Sequence, residues 1–390
     1  MSDRTLRVAF IAGPMYDSVY ERLPDFEHAA GVRVEVAFHG SHPELNAHLA
    51  SLLSDVPYDL VSTHTKYAPS QSSFLAPLDL FAGELQTHDF YEPLIDLARV
   101  NGRLLGIPRN IDVKLLHYRT DLVEQAPETW NELVETACDL ASGTGSYGFV
   151  FPGMESGLFG MFYELAEMGG ASLFPPSNLP RLDNEGGQWA LELINQMYGS
   201  RAVPPEIINW RYDEVHCCFR DGHAAMICDW PGYYSAYCDG TTSTVSGKFG
   251  LARMPAGPSG VRKVYSGSHT LALTHRGSKQ TAALELLRFL NAPEQQLVAA
   301  RHGSVPTRPA VLAQILSEAE PFEAERWKLL DLVIATDMLI PPGLSYYPEI
   351  EEIIWRTVRA AMTDEITIQT ALVSMESLIA ECHQRHVGVR

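Results

Sequence analysis

Three carboxylates stand where apolar runs give way to turns, Asp112, Glu155 and Asp229. Two such groups flanking a glycosidic bond, one with a raised pKa, would make a glycoside-processing hydrolase. Trp230 follows Met226-Ile227-Cys228-Asp229 and precedes Pro231-Gly232, which places it at a strand tip. An indole there is a flat platform for the C–H face of a pyranose, with neighbouring polar groups free to meet the hydroxyls. Glu155 and Ser156 lie in Gly153-Met154-Glu155-Ser156-Gly157, after a strand and at a helix start. Free amides there favour an anion or a hydroxyl oxygen, and an ordinary cap by Ser156 reads equally well.

Other chemistry is disfavoured. His39, His42 and His48 are close in sequence, His216 adjoins Cys217-Cys218, and Glu381, Cys382, His383 and His386 come near the end. None has the paired spacing of a zinc site, and HExxH is absent, so neither metal nor cofactor is expected. The run Gly143 to Gly148 spells GxGxxG, but a helix precedes it and a strand follows. A dinucleotide site needs the reverse order, so this is a loop. GxSxG is missing, and Ser268 and His269, as neighbours on a strand, point to opposite faces and cannot pair as nucleophile and base.

These residues need a scaffold. Leu6 to Ala12 reads as a strand, Tyr16 to Ala30 as a helix, and Val32 to Phe38 as a strand with period-two alternation. A helix from Pro43 to Leu53 and a buried strand from Tyr58 to Ser62 complete βαβαβ, hence a parallel sheet covered by helices. Ligands of such sheets bind beyond the carboxyl ends of the strands. The tips are Gly13 to Tyr16, His39 to His42 and Thr63 to Lys66, which nominates Tyr16, His39 and His64. Asn101-Gly102 is a turn, Leu104 to Ile107 a strand closed by Pro108, and Val113 to Tyr118 a second apolar run. Arg109-Asn110-Ile111-Asp112 is the polar elbow between them, and Thr129 with Glu132 has capping-box spacing before a helix. Further on come a helix over Trp189 to Tyr198, a loop at Gly257 to Gly260, a strand at Thr270 to Leu273 and a helix from Ala283 that stops before Pro293. A turn-rich link at Gly303 to Arg308 then leads to a mainly helical end.

At 390 residues the chain exceeds one compact core and predicts two lobes. A formal charge of −19 repels phosphate backbones and anionic membranes, which argues against nucleic acid as a partner. No apolar run reaches the roughly 18 residues of a spanning helix. The six cysteines form no CxxC pair and read as free thiols. Met1-Ser2-Asp3-Arg4-Thr5 leads straight into the first strand without a basic segment and apolar signal core. Either an export signal is missing ahead of this sequence, or the protein stays inside the cell.

The elbow also resembles the lobe crossover of sugar-type solute-binding proteins of ABC importers. The resemblance rests on Gly102, Gly106-Ile107-Pro108, Asp112, Tyr118-Arg119-Thr120-Asp121-Leu122 and Thr129-Trp130-Asn131-Glu132-Leu133. It continues through Phe219 to Met226 (FRDGHAAM), Ser266 to Ala272, Ala283 to Pro293, Val305 to Arg308 and Tyr346-Tyr347-Pro348. It implies an α/β, two-lobe periplasmic-binding-protein fold of type II with the ligand cleft between lobes. Residues 1–110 plus 266–310 would form the N-terminal lobe, and 111–265 plus 311–390 the C-terminal lobe. The implied function is capture of a saccharide or acidic sugar derivative for import, without catalysis, by a periplasmic or extracellular monomer that delivers to membrane permease subunits. The alternatives are the hydrolase and a non-exported intracellular sugar sensor.

Under this resemblance the ligand-binding set is Tyr16, His39, His64, Arg109, Asp112, Glu155, Ser156, Asp229, Trp230, Gly267, Ser268, His269 and Tyr346. The carboxylates become acceptors for sugar hydroxyls. Many relatives carry tryptophan where His269 stands. With His39, His64, Lys66, Arg109 and Arg308 also expected at the cleft, this predicts a locally less negative site and a ligand with an acidic group. Its affinity should fall as pH rises through about 6.5.

Overall fold

The computed structural model describes residues 5–52, 55–143, 146–177 and 179–387. Thr144 and Gly145 of the GxGxxG run lie outside them, as do Met1 to Arg4 and Leu53, the expected end of the second helix. The flanks of that run are as expected: a helix, Trp130–Gly143, before it and a strand, Tyr147–Val150, after it.

The N-terminal lobe is built on a five-stranded sheet in the order Arg33–Gly40, Thr5–Ile11, Leu60–His64, His269–Leu273, Ile107–Pro108. The first three are parallel, and the last two join antiparallel. Thr5–Ile11 lies inside the sheet between two neighbours, so Leu6, Val8 and Phe10 on one face and Ala9 and Ile11 on the other are all buried. Arg33–Gly40 is the edge, which is why its apolar residues alternate with exposed ones. Gly31, left-handed at φ 64°, ends the first helix (Pro14–Ala30), and Ser41 with Glu44 forms a reciprocal capping box at the start of the next, His42–Ser51.

Asn101 and Gly102 both take positive φ, 51° and 78°, the two-residue turn that matches strand twist. They join Arg99–Val100 to Arg103–Leu104. The expected single strand over Leu104 to Ile107 is therefore two pieces, one in this hairpin and one in the main sheet. A Cβ on Gly106, between them, would lie 2.9 Å from the Thr270 side chain.

The second lobe carries a four-stranded sheet in the order Phe249–Ala252, Leu115–Arg119, Ala224–Asp229, Tyr147–Val150. The Thr129–Glu132 box forms: the Glu132 amide donates to the Thr129 hydroxyl at 3.2 Å, and the Thr129 amide donates to the Glu132 carboxylate at 3.2 Å. The predicted helices fall within Glu185–Gly199 and Thr281–Leu290, and Pro293 opens a further one, Pro293–Arg301. The C-terminal part is helical, with Pro309–Glu318, Pro321–Thr336, Tyr347–Met362 and Ile368–Val387.

One core gathers Leu6, Val8, Phe10, Leu60, Ile107 and Leu271; a larger one gathers Leu116, Phe149, Phe162, Ile194, Ile354 and Leu372. Between them the chain crosses side by side at three places. Asp112 and Gly267 exchange backbone hydrogen bonds of 3.0 and 3.3 Å, and the Ile111 amide donates to the Val305 carbonyl at 3.0 Å.

Candidate functional site

A cavity of about 510 Å³ opens where the strand tips of the first lobe face the second lobe. Gly13, Gly40, Ser41, His42, His64 and Lys66 form one wall, as the carboxyl-end rule requires. Glu155, Ser156, Arg211, Tyr212, Trp230 and Tyr233 form the other, and Asp112, Tyr265 and His269 complete the lining.

Trp230 lies at the end of Ala224–Asp229, partly exposed, with Tyr212 and Tyr265 edge-on to it at 6.2 and 6.5 Å between centroids. The result is an aromatic corner with hydroxyl groups beside it. Glu155 takes φ 52°, a left-handed conformation unusual outside glycine, at the start of the helix Glu155–Gly169. Its carboxylate is gripped by Arg211 through two bonds, 2.7 and 3.0 Å. Met154 occupies the cap position without a side-chain bond, so Ser156 is not the cap; its hydroxyl lies 3.5 Å from that of Tyr212.

Asp112 is held in place from below. Its Oδ1 accepts from the Asn110 amide at 2.6 Å, and its Oδ2 lies 3.1 Å from His64 Nε2 and 3.8 Å from His269 Nε2. The Lys66 amide donates to His64 Nδ1 at 3.1 Å, which puts the proton of neutral His64 on Nε2, facing Asp112. The His42 ring completes the group, with its centroid 4.9 Å from that of His269 and 5.8 Å from that of His64.

Of the residues nominated from sequence, His64, Asp112, Glu155, Ser156, Trp230 and His269 line the cavity. Tyr16, Arg109, Gly267 and Ser268 stand behind this lining. Arg109 lies over the Tyr16 ring at 4.3 Å and donates to Ser18, while Ser268 donates to the Asn110 carbonyl at 2.6 Å. Asp229 is buried beneath the strand tip, bonded to the Trp230 amide and the Tyr237 hydroxyl. His39 is exposed and packs on Tyr20. Tyr346 bonds to His383 and stacks on His386 of the last helix. His42, Arg211, Tyr212 and Tyr265 line the cavity without having been nominated. Only proximity to a strand tip could have flagged His42; the others carry no local signal.

The cleft, expected to be locally less negative than the chain as a whole, gathers more carboxylates than cations. Glu44, Asp112, Glu155, Asp213 and Glu214 face the cavity against the cations of Lys66 and Arg211. Lys66 is tied to Glu351 at 3.2 Å and to the Tyr265 hydroxyl at 2.6 Å. Arg308 is sequestered over Phe90 and paired with Asp89. The histidines add no charge either. Burial, then the neighbouring imidazoles and Lys66, push His42 well below the usual range. Burial and then Lys66 do the same for His64, and burial takes His269 down to about 3 despite the opposing pull of Asp112. All three are neutral at pH 7, so the expected loss of affinity through their titration near neutrality has no basis here.

The profile described as "Bacterial extracellular solute-binding protein" matches residues 21–324. A relative from Deinococcus radiodurans described as "Probable ABC transporter-binding protein" is 26% identical over 318 residues, 78% of this chain and 74% of the relative. Maltose-bound T. maritima MalE3 superposes with a TM-score of 0.88 at 26% identity, covering 97% of this chain and 99% of that one. An ABC transporter solute-binding protein of Agrobacterium radiobacter K84, in complex with ribitol, gives 0.83 at 21% identity, covering 97% and 98%. With two α/β lobes, a cleft between them and a family match spanning most of its length, this chain belongs to the bacterial extracellular solute-binding proteins.

Proposed function

We propose that this chain is the substrate-binding component of an ABC importer and captures a neutral saccharide or polyol in the cavity between its lobes. The observation that carries this reading is the Trp230 corner, an indole flanked by Tyr212 and Tyr265 in a cavity that also presents Asp112 and Glu155. Aromatic faces meet the C–H side of a sugar ring and carboxylates accept from its hydroxyls. At about 510 Å³ the cavity is in the range, roughly 300–1,000 Å³, of small-molecule sites. The relatives captured with maltose and ribitol support the same ligand class. The surplus of carboxylates speaks against the acidic sugar derivative.

On this reading His64, Asp112, Glu155, Ser156, Trp230 and His269 touch the ligand, joined by Tyr212 and Tyr265. Tyr16, Arg109, Gly267, Ser268 and Asp229 hold that layer in place. The two cores favour a division near 1–110 with 266–310 against the remainder. Closure of the lobes around the ligand would present the complex to the membrane permease subunits. The family match supports a location in the periplasm or outside the cell, and no helix among the described residues is long and apolar enough to cross a membrane.

The test is calorimetry and thermal denaturation with maltose, ribitol, mannitol and glucuronate, each in the presence of EDTA. A neutral sugar or polyol should bind one per chain without turnover, stabilising by about 3 kcal/mol at a hundredfold excess over Kd. Stabilisation by some other metabolite class, with none by these, would remove the carbohydrate assignment.

A further inference from the structure

We infer that His64, Asp112 and His269 form a site for one divalent transition-metal ion in the cavity wall, with the His42 imidazole as a further donor. The inference does not depend on which solute the cleft captures.

Three separate segments converge on this spot: the end of Leu60–His64, the crossover at Asp112 and the start of His269–Leu273. One ligand atom from each lies within 4.8 Å of the others. Donors bound to a tetrahedral ion at about 2.0–2.2 Å sit roughly 3.4 Å apart, and the carboxylate oxygen is 3.1 and 3.8 Å from the two imidazole nitrogens. Small side-chain rotations therefore suffice.

Ordinary packing does not account for the cluster. His42 Nε2 and His269 Nδ1 are both buried without a hydrogen-bond partner, although a buried polar atom is normally satisfied. An ion held here would offer His42 Nε2 the partner it lacks; His269 Nδ1, on the far side of the ring from Asp112, would keep its present surroundings. An outer layer is already in place. The Asn110 side-chain amide binds Asp112 Oδ1 and leaves Oδ2 toward the histidines, and its Oδ1 accepts from the His269 backbone amide at 3.1 Å.

Imidazoles with one carboxylate suit zinc and its neighbours rather than calcium or magnesium, which take oxygen donors. Ligation at His64 Nε2 requires its proton to move to Nδ1, where the Thr65 hydroxyl at 3.4 Å accepts it in place of the Lys66 amide contact. His42, His64, Asp112 and His269 all border the cavity, so a remaining coordination position would open into it for water or a solute oxygen.

A second group, Glu349, Cys382 and His386, could compete for the ion. Its carboxylate is already bound by Arg385, and it contains a thiol, so the two sites are spectroscopically distinct.

The test titrates the EDTA-stripped full chain with Zn²⁺ by calorimetry and with Co²⁺ by absorption. One equivalent should bind, with cobalt d–d bands and no thiolate charge-transfer band. His269→Gln, His64→Gln and Asp112→Asn should each raise Kd by at least about tenfold, while His386→Ala leaves it unchanged. Melting in EDTA shows which variants fold, and any one that does so decides the matter. Absence of binding, binding that survives a folded variant of the three, or a thiolate band lost in His386→Ala would each overturn the site. The EDTA in the carbohydrate screen keeps the two proposals separately testable.

Discussion

The ammonium of Lys114 lies 5.4 Å from the centroid of the Trp230 ring. Trp230 borders both the large cavity and a water-sized void of about 20 Å³ that Lys114, Glu164 and Trp130 also line. The indole is a partition: solute is expected on one side, a buried cation lies on the other. Trp230→Ala should weaken solute binding by about 1–3 kcal/mol, as loss of an aromatic anchor does, and should join the void to the cleft. Calorimetry with the ligand found in the screen, alongside a melting curve, checks this. Normal affinity with a much lower Tm would make Trp230 a packing residue.

Beneath that partition Lys114 donates to Glu164 at 2.8 Å, and Glu164 also accepts from the Tyr265 amide at 2.6 Å. Their side chains are only 10% and 1% exposed, so bulk solvent screens neither charge. Lys114→Met should cost about 3–5 kcal/mol, because it strands a buried carboxylate. Adding Glu164→Leu should recover part of the loss, leaving mainly the unpaired Tyr265 amide, about 1–3 kcal/mol. Urea unfolding of both singles and the double gives the coupling. Strict additivity would mean the pair is not coupled.

Gly267 has a steric reason to be glycine. A Cβ there would lie 2.4 Å from His64 Cε1 and 3.0 Å from its Nε2. Gly267→Ala should therefore push the ring off Asp112 and cost about 1–3 kcal/mol by overpacking. A clear fall in Tm, together with weaker solute binding, is the expected result. An unchanged Tm would show that His64 swings aside freely.

Acid should destabilise the protein through His117, which is buried against Phe219, Tyr237 and Phe249. Burial lowers it to about 4, against the opposing pull of Asp229. Between about 6.5 and that value the unfolded chain holds a proton here that the folded chain does not. The stability is thus fully present above about pH 6.5 and is lost on acidification, by at most about 1.4 kcal/mol per pH unit from this group. Melting at pH 7 and pH 5 should show the drop, and His117→Gln should have a shallower dependence. Identical slopes would assign the effect to other groups.

Much of the architecture was legible because its signals are local. Alternation over Val32 to Phe38, the Asn101-Gly102 turn, the Thr129–Glu132 box and the strand leading to Trp230 each depend on residues a few positions apart. The carboxyl-end rule then brought His64 to the cleft correctly, and the Trp230 tip followed from its flanking residues. The two misplaced arginines share one cause. Arg109 and Arg308 occupy crossover positions, yet their guanidiniums lie over Tyr16 and Phe90, a choice made by rings distant in sequence. His42 closed one of the expected strand tips without being nominated, yet the helix that starts there behind the Ser41 capping box carries its ring to His64 and His269. The amino-acid order alone determined most of the elements, their sequence of alternation and the polar elbow at Arg109 to Asp112, because hydrogen-bond geometry and side-chain periodicity act over a few residues; that the elbow is a lobe crossover came from the family resemblance. Tertiary structure alone decided which side chains share the cavity, which charges are already paired and which imidazoles are neutral, because those depend on burial and on partners that only the assembled lobes bring together.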